Sequence, residues 1–234
     1  MMRIDRIWKL SSFWPSCQNC DRPSKSLFCT SCAESLTFQN ACVECGRILL
    51  APKLLKCIPC AMEKRRWNSL SIAFFYLDGV QRFIREIKDL GRPERFRELS
   101  QDLLPPPPGD CDLIVAVSSD PLHDKKRLFN PAEALAKHLS QIWKIRFQKS
   151  SIFHREPFLQ SQRELDRETR MRFLKRVVRL HPERPRQNQR FKRVLLVDDV
   201  MTTGATLEIH SRLLQKISDE VHIFCLARTI KKFG

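Results

Sequence analysis

Two adjacent acidic residues and a cluster of threonines follow an apolar segment in the C-terminal third of the chain. In the stretch VLLVDDVMTTGATL (194–207), Asp198 and Asp199 end a predicted strand, and Thr202 to Thr206 lead into a predicted helix. Amides at a helix N-terminus and threonine hydroxyls suit a phosphate group, and Gly204 lets the backbone approach it closely. Carboxylates at the carboxyl end of a parallel strand can accept hydrogen bonds from ribose hydroxyls. The spacing predicts a site for a phosphorylated sugar; the alternative is an ordinary strand end followed by a helix cap.

Eight of the ten cysteines form four CxxC pairs near the N-terminus: Cys17/Cys20, Cys29/Cys32, Cys42/Cys45 and Cys57/Cys60. Each CxxC turn presents two thiolates on one side of a loop, and two turns complete a tetrahedral zinc site. The segment CQNCDR…FCTSCAE is echoed by CVECGR…KCIPCAME, so the repeat favours sequential pairing into two structural zinc sites. Interleaved pairing and a reduced, metal-free segment are the alternatives. Cys111 and Cys225 lie beside or within apolar strands and are expected to be packing residues.

Positive charge is unusually abundant in this chain. The 234 residues contain 42 Lys and Arg against 26 Asp and Glu, a net charge of +16, and half of that excess falls within residues 161–193. Such a block can bind an anionic substrate or follow a nucleic-acid backbone, or it can simply solvate a helix face. Trp67, Phe173 and Phe191 are candidate stacking surfaces for bases.

The hydrophobic pattern places these residues on an α/β framework. Alternating strands and helices imply right-handed crossovers and a parallel sheet, hence an α/β domain over residues 66–234 behind a zinc-binding module at residues 1–65. The predicted strands are 71–77, 112–117, 191–200 and 221–227, and the predicted helices are 80–91, 131–143 and 203–217.

The apolar segments are too short for secretion or membrane insertion. The N-terminal residues MMRIDRIWKLSSFWPSC are interrupted by charge, and no later run approaches the ~18 residues of a membrane span. Reduced thiols are typical of the cytosol, so we expect a cytoplasmic protein with no membrane insertion.

The stretch 194–207 resembles the 5-phosphoribosyl-1-pyrophosphate (PRPP) motif of type I phosphoribosyltransferases. The order of the CxxC pairs, FFYLDGVQRFIREIKDLG, this motif and a final LART resembles the ComF family of competence-associated phosphoribosyltransferase-like proteins. The resemblance implies a type I phosphoribosyltransferase-like parallel sheet flanked by helices, with an N-terminal double zinc ribbon. It implies PRPP or another phosphoribosyl ligand with Mg²⁺, and single-stranded DNA and DNA-uptake proteins as partners. The implied ligand-binding residues are Asp198, Asp199, Met201, Thr202, Thr203, Gly204, Ala205 and Thr206, and the implied catalytic residues are Asp198, Asp199 and Arg127.

The chain departs from the family pattern on the side expected to hold pyrophosphate. In VAVSSDPLHDKKRLFNP (115–131), Phe129 and Asn130 match, whereas Asp120 departs and would repel pyrophosphate unless Mg²⁺ intervened. The family's QxGLSxxxRxxN segment is also altered, with Phe173 in place of Asn. The candidates to meet pyrophosphate charge are Arg127, Arg163 and Arg167.

Two functions therefore remain open at the level of sequence. One is a PRPP-binding enzyme that transfers the phosphoribosyl group to an unidentified nitrogen acceptor. The other is a catalytically impaired, DNA-binding accessory factor of transformation that uses the fold as a scaffold.

Overall fold

A computed structural model describes residues 15–37, 40–49, 51, 53–122, 128–157, 167–182 and 189–230. Arg127 and Arg163, two of the arginines expected to meet pyrophosphate, lie outside these residues, as does the side chain of Arg167. The basic segment 161–193 is therefore described only in part.

Five parallel strands form the central sheet in the order β1-β7-β6-β2-β3. Strands β4 and β5 pair antiparallel in a separate two-stranded sheet. The parallel sheet confirms the predicted α/β architecture. The strands are β1 Ser69–Phe75, β2 Leu113–Ala116, β3 Phe147–Gln148, β4 Phe153–Arg155, β5 Val178–Leu180, β6 Phe191–Met201 and β7 Ser218–Arg228.

Six α-helices occur in the described part of the chain: α1 Thr30–Leu36, α2 Ile58–Met62, α3 Asp78–Asp89, α4 Pro131–Trp143, α5 Arg167–Val177 and α6 Ala205–Leu214. Helix α4 begins as predicted, because the Asn130 side chain accepts hydrogen bonds from the amides of Ala132 and Glu133, and Pro131 needs no amide partner there. Short 3₁₀ turns span Pro93–Glu98, Gln101–Leu103 and Ser150–Ile152.

The core lies on the three interior strands of the sheet, β7, β6 and β2. Residues Leu113–Ala116 of β2 and Val194–Val197 of β6 are fully buried. Parallel strands covered on both faces have continuous apolar sequences, which explains the LIVA and VLLV segments. Because β2 and β6 pair in parallel, the loops that follow them emerge at the same edge of the sheet.

The N-terminal module packs directly on this core. The Phe28 and Phe74 rings meet edge to face at a centroid distance of 5.4 Å. The amide of Gly79, at the start of α3, donates to Asn19 Oδ1 at 2.8 Å. A Cβ at Gly79 would lie 2.7 Å from the Asn19 Cα, so this contact requires glycine. No helix among the described residues has the length and apolar character needed to cross a bilayer.

Candidate functional site

A cleft of about 580 Å³ opens at the carboxyl edge of the sheet. Its walls come from α3, the loop after β2, the start of α4, β4, α5 and the loop after β6. The lining residues used below are Lys88, Ser118, Asp120, Asn130, Arg155, Arg170, Asp198, Asp199, Thr202, Thr203 and Thr206.

The acid pair lies at the base of this cleft. Asp199 is buried and forms an ion pair with Lys88 of α3, with 2.7 Å between Nζ and Oδ2. Asp198 accepts a hydrogen bond from the Asp199 amide at 2.9 Å. Burial, reinforced by the neighbouring Asp199 carboxylate, raises the pKa of Asp198 to about 7. Asp198 therefore titrates near neutrality and can gain or lose a proton when a ligand binds.

The segment Met201–Thr206, here called the phosphate loop, joins β6 to α6. Gly204 has a φ of 79°, in the left-handed region, and a Cβ there would lie 2.8 Å from Met201 Cε. Met201 is buried beneath the loop, and Thr203 Oγ1 accepts a hydrogen bond from the Ala205 amide at 3.4 Å. The loop thus brings backbone and threonine hydroxyls to the N-terminus of α6, an arrangement suited to an anion.

Arg170 of α5 lies over the phosphate loop. Its Nη1 donates to Thr202 Oγ1 at 3.2 Å and its Nη2 to Thr206 Oγ1 at 3.3 Å. Its Nε is buried and has no hydrogen-bond partner among the described residues. Burial lowers the pKa of the Arg170 guanidinium, and the Asp198 carboxylate partly opposes that shift. A half-buried guanidinium that is held against two hydroxyls and retains an unused donor among the described residues is suited to a phosphate.

The opposite wall of the cleft is formed by the loop after β2 and by Arg155 of β4. Arg155 Nη1 donates to the Ser118 carbonyl at 2.8 Å, and its Nη2 lies 3.9 Å from Asp120 Oδ2. Asp120 also accepts a hydrogen bond from the Leu122 amide at 3.0 Å. Both members of the Arg155–Asp120 pair are buried, so the negative charge expected to repel pyrophosphate is compensated within the protein.

His210 of α6 connects the two walls. Its Nδ1 lies 2.8 Å from the Thr206 carbonyl, and its Nε2 lies 3.0 Å from the Ser118 amide and 2.8 Å from the Ser118 hydroxyl. These partners assign the proton to Nδ1, which donates to the carbonyl, and leave Nε2 as the acceptor. Burial lowers the pKa of His210 to about 3, so the imidazole is neutral. It holds the phosphate loop at a fixed distance from the loop after β2.

The eight CxxC cysteines form two compact groups. Within each group the four sulfurs lie within 4.8 Å of one another, and the groups follow the sequential pairing favoured by the repeat: Cys17, Cys20, Cys29 and Cys32 in the first cluster, and Cys42, Cys45, Cys57 and Cys60 in the second cluster. Four thiolates at this spacing fit a closed tetrahedral zinc site. Arg22 and Arg65 each donate to a cluster sulfur at 3.3 Å, which favours the thiolate form. Of the other cysteines, Cys225 is buried and Cys111 is half-buried.

The aromatic residues considered for base stacking do not form such a surface. Trp67 is 6% exposed and donates through Nε1 to the Glu44 carbonyl, and Phe191 is 7% exposed beneath the Arg146 guanidinium. Phe173 is partly buried against the core. The prediction is therefore wrong for Trp67 and Phe191, because their rings complete the packing of the domain.

The structure brings the predicted acid pair and phosphate loop into one cleft, together with residues that sequence reasoning did not select. Arg155 and His210 carry no motif of their own, and Lys88 lies in the segment FFYLDGVQRFIREIKDLG, to which no site residue was assigned. Arg170 lies in the altered QxGLSxxxRxxN segment, and its match to the family arginine was the signal that could have distinguished it from Arg163 and Arg167.

Comparison with known proteins agrees with this geometry. The phosphoribosyl transferase domain model matches residues 129–232. Competence protein F of Haemophilus influenzae is 26% identical over 220 residues, covering 88% of this chain and 92% of the relative. DNA utilization protein YhgH of Escherichia coli K12 is 27% identical over 226 residues, covering 93% and 92%. A solved purine phosphoribosyltransferase from Pyrococcus horikoshii is 22% identical, covering 68% of this chain and 78% of its own, with a TM-score of 0.29, too low to support an argument.

Proposed function

We propose that the chain is a phosphoribosyltransferase-like protein of the ComF family and that its cleft binds PRPP or a closely related phosphoribosyl ligand. One observation carries the proposal: the acid pair, the phosphate loop and the partly unsatisfied Arg170 guanidinium converge on one cleft. Each group matches one part of such a ligand.

The 5-phosphate is assigned to the phosphate loop. Its negative charge suits the N-terminus of α6 and the hydroxyls of Thr202 and Thr206, and Arg170 supplies positive charge beside both hydroxyls. The ribose hydroxyls are assigned to Asp198, whose carboxylate accepts hydrogen bonds when ionised. Lys88 balances the charge of the neighbouring Asp199 through their ion pair. Asp198 therefore remains available to the sugar.

Mg²⁺ fits the chemistry of this cleft, since carboxylate and phosphate oxygens are the ligands it prefers. Asp198 and Asp199 are the described carboxylates adjacent to the phosphate loop that could hold it. When bound with PRPP, Mg²⁺ would neutralise charge on the pyrophosphate.

Turnover is the second part of the proposal. A nitrogen nucleophile would attack the anomeric carbon of PRPP, forming a C–N bond as the C–O bond to pyrophosphate breaks. The pyrophosphate leaves with the bonding electrons, and the nitrogen loses its proton to solvent. The protein needs no nucleophile of its own, because positioning and charge stabilisation by the cleft residues suffice. The predicted contribution of Arg127 to pyrophosphate binding belongs to this step and lies outside the described residues.

Calorimetry with PRPP and MgCl₂ tests ligand binding on the full, zinc-loaded chain. The double substitution Asp198→Asn and Asp199→Asn should weaken binding on the order of 100-fold, because both charge-assisted acceptors are lost. Asp219→Asn is the matched control, since Asp219 pairs with Arg190 at the surface. No binding by the unmodified chain, or equal binding by the double variant, would contradict the proposal.

We also propose that the two cysteine clusters each hold one structural zinc, with residues 1–65 forming the double zinc ribbon and 66–234 the ligand-binding domain. The four-thiolate donor sets support this. Elemental analysis should find two zinc ions per chain, and a metal-free chain would refute it.

A DNA-associated role is the second candidate. The net charge of +16 and the names of the relatives, Competence protein F and DNA utilization protein, favour it. In this role the chain would act in the cytoplasm as an accessory factor that contacts single-stranded DNA and DNA-uptake proteins. Affinity for single-stranded DNA should then fall steeply with salt, because each neutralised phosphate releases counterions; a flat dependence would exclude this interpretation.

A further inference from the structure

One arginine joins the second cysteine cluster to the phosphate loop. We propose that Arg228 is a positioning residue through which the second cluster orders this loop. The identity of the ligand that binds the loop rests on the proposed function. The link through Arg228 between the second cluster and the loop does not depend on that function.

On the side of the loop, Arg228 supports the point where the loop begins. Arg228 ends β7 and pairs in register with Met201, the last residue of β6. Its Nη1 donates to the Met201 carbonyl at 3.1 Å, and the Thr229 amide donates to the same oxygen, also at 3.1 Å. The backbone direction at the entry to the phosphate loop therefore depends on these donors.

On the side of the cluster, the same guanidinium holds a metal-binding turn. Arg228 Nε donates at 3.0 Å to the carbonyl of Cys45, within the turn Cys42–Cys45. Trp67 provides a second link: its Nε1 donates to the Glu44 carbonyl at 2.9 Å, and its ring lies 3.9 Å from the position a Cβ would take on Gly204. Arg228 thus bonds to both the turn and the loop entry, and Trp67 bonds to the turn while its ring lies on the side of Gly204 where a Cβ would point.

The first cluster is held by a similar contact that leads elsewhere. Arg82 of α3 donates through Nη2 to the Gln18 carbonyl in the turn Cys17–Cys20, and Asn19 of that turn bonds to Gly79. Both contacts end on α3. Arg82 is therefore a matched control for Arg228: among the described residues it holds a cysteine turn through Gln18 and Asp21 and does not bond to the phosphate loop.

The geometry of the guanidinium explains why the link would transmit order. Its donors lie in a rigid plane, so Nε and Nη1 fix the Cys45 and Met201 carbonyls relative to each other, which a lysine ammonium cannot do in the same way. A closed four-thiolate site restrains the Cys42–Cys45 turn, and the restraint reaches the loop through Arg228. Linkage then requires the reverse as well: a ligand that orders the loop should tighten the turn.

Hydrogen–deuterium exchange tests the link without any ligand. In the full, zinc-loaded chain, Arg228→Gln should accelerate exchange of the hydrogen-bonded amides at the loop, those of Ala205, Glu208 and Thr229, on the order of tenfold, because a charge-assisted hydrogen bond to the loop entry is lost. Arg82→Gln should leave those amides unchanged. Unchanged loop exchange in Arg228→Gln, or equal acceleration in Arg82→Gln, would overturn the proposal.

Zinc release to a chelator supplies the reciprocal readout. PRPP with MgCl₂ should slow release of one of the two zinc ions several-fold in the unmodified chain and not in Arg228→Gln. If calorimetry shows PRPP binding while zinc release is unaffected, the link is refuted. If PRPP does not bind, the proposed ligand fails and the exchange comparison alone decides the role of Arg228. Should Arg228→Gln fail to retain two zinc ions, Arg228→Lys, which keeps the charge without the planar fork, is judged by the same exchange criterion.

Discussion

The two walls of the cleft differ in what their polar groups bind. On the opposite wall, Asp120, Arg155 and the buried Ser118–His210 pair bond to one another and to nearby backbone. In the phosphate half of the cleft, which comprises the acid pair, the phosphate loop and Arg170, the Arg170 guanidinium bonds to two threonine hydroxyls, and the pKa of Asp198 is raised by burial and by the adjacent carboxylate.

On the proposed function, this difference separates a wall that maintains the fold from a half of the cleft that receives a ligand. Buried groups that satisfy one another stabilise the folded chain, whereas unsatisfied groups cost stability until a ligand completes them. Substitutions on the opposite wall should therefore lower stability, and substitutions in the phosphate half should change ligand affinity.

The largest effect is expected at the buried ion pair of the opposite wall. Asp120→Asn should lower the free energy of unfolding by about 3 kcal/mol, because the Arg155 guanidinium is left buried without its opposite charge. Chemical denaturation measures this, with Asp219→Asn at the surface as the control. A loss below about 0.5 kcal/mol, the size expected at an ordinary surface position, would show that this wall does not depend on the pair.

In the phosphate half, Arg170→Gln should weaken PRPP binding about 30-fold, equivalent to roughly 2 kcal/mol, because a charged donor beside the phosphate loop is lost. Arg172→Gln is its control, since Arg172 is exposed on the same helix and contacts Thr169. Calorimetry compares the two variants. Equal affinities would remove Arg170 from the ligand site.

Asp198→Asn should raise the free energy of unfolding of the ligand-free protein, whereas Asp120→Asn should lower it. The folded-state pKa of about 7 lies above the ordinary 3.8, so folding takes up a proton between these values and stability falls as the pH rises from about 4 to 7. The amide cannot ionise, so the gain in stability should be near zero at pH 4 and should grow as the pH rises to 8. Thermal melts at both pH values measure it; a gain independent of pH would contradict the cause assigned here.

The smallest effect is expected at the start of α4. Asn130→Ala should cost about 1 kcal/mol, because the side chain caps the helix and also donates to the Val117 carbonyl. Asn130→Asp keeps the capping oxygen and removes the donor, so it should fall between Ala and Asn in denaturation experiments. If Asn130→Asp lost as much stability as Asn130→Ala, the hydrogen bond to the Val117 carbonyl, rather than the helix cap, would be the main contribution of Asn130 to stability.

The sequence predicted the phosphate half of the cleft better than the opposite wall. The acid pair and the phosphate loop are contiguous from Asp198 to Thr206, so one motif contains both the residues and their geometry. The long buried strands were predicted equally well, because their sequences are continuous apolar runs. Strand β7, however, begins at Ser218 rather than at residue 221, because its pairing with β6 starts at Phe191. Helix α6 ends at Leu214 rather than at 217.

The remaining features depend on tertiary contacts that no local pattern encodes. Strands β3, β4 and β5 are only two or three residues long, too short to show an alternation. Lys88 and Arg155 are single charged residues that acquire a role only when α3 and β4 reach the cleft. Trp67 was wrongly considered an exposed stacking surface because an aromatic residue beside a basic segment looks the same in sequence whether its ring faces solvent or the core.

The most direct test of the account compares three ligands on the unmodified chain by calorimetry, each with MgCl₂: PRPP, ribose 5-phosphate and pyrophosphate. If the phosphate half is the prepared wall, ribose 5-phosphate should bind, Arg170→Gln should weaken that binding, and pyrophosphate alone should bind far more weakly than PRPP. Binding of pyrophosphate as tight as that of PRPP, with no binding of ribose 5-phosphate, would contradict the account.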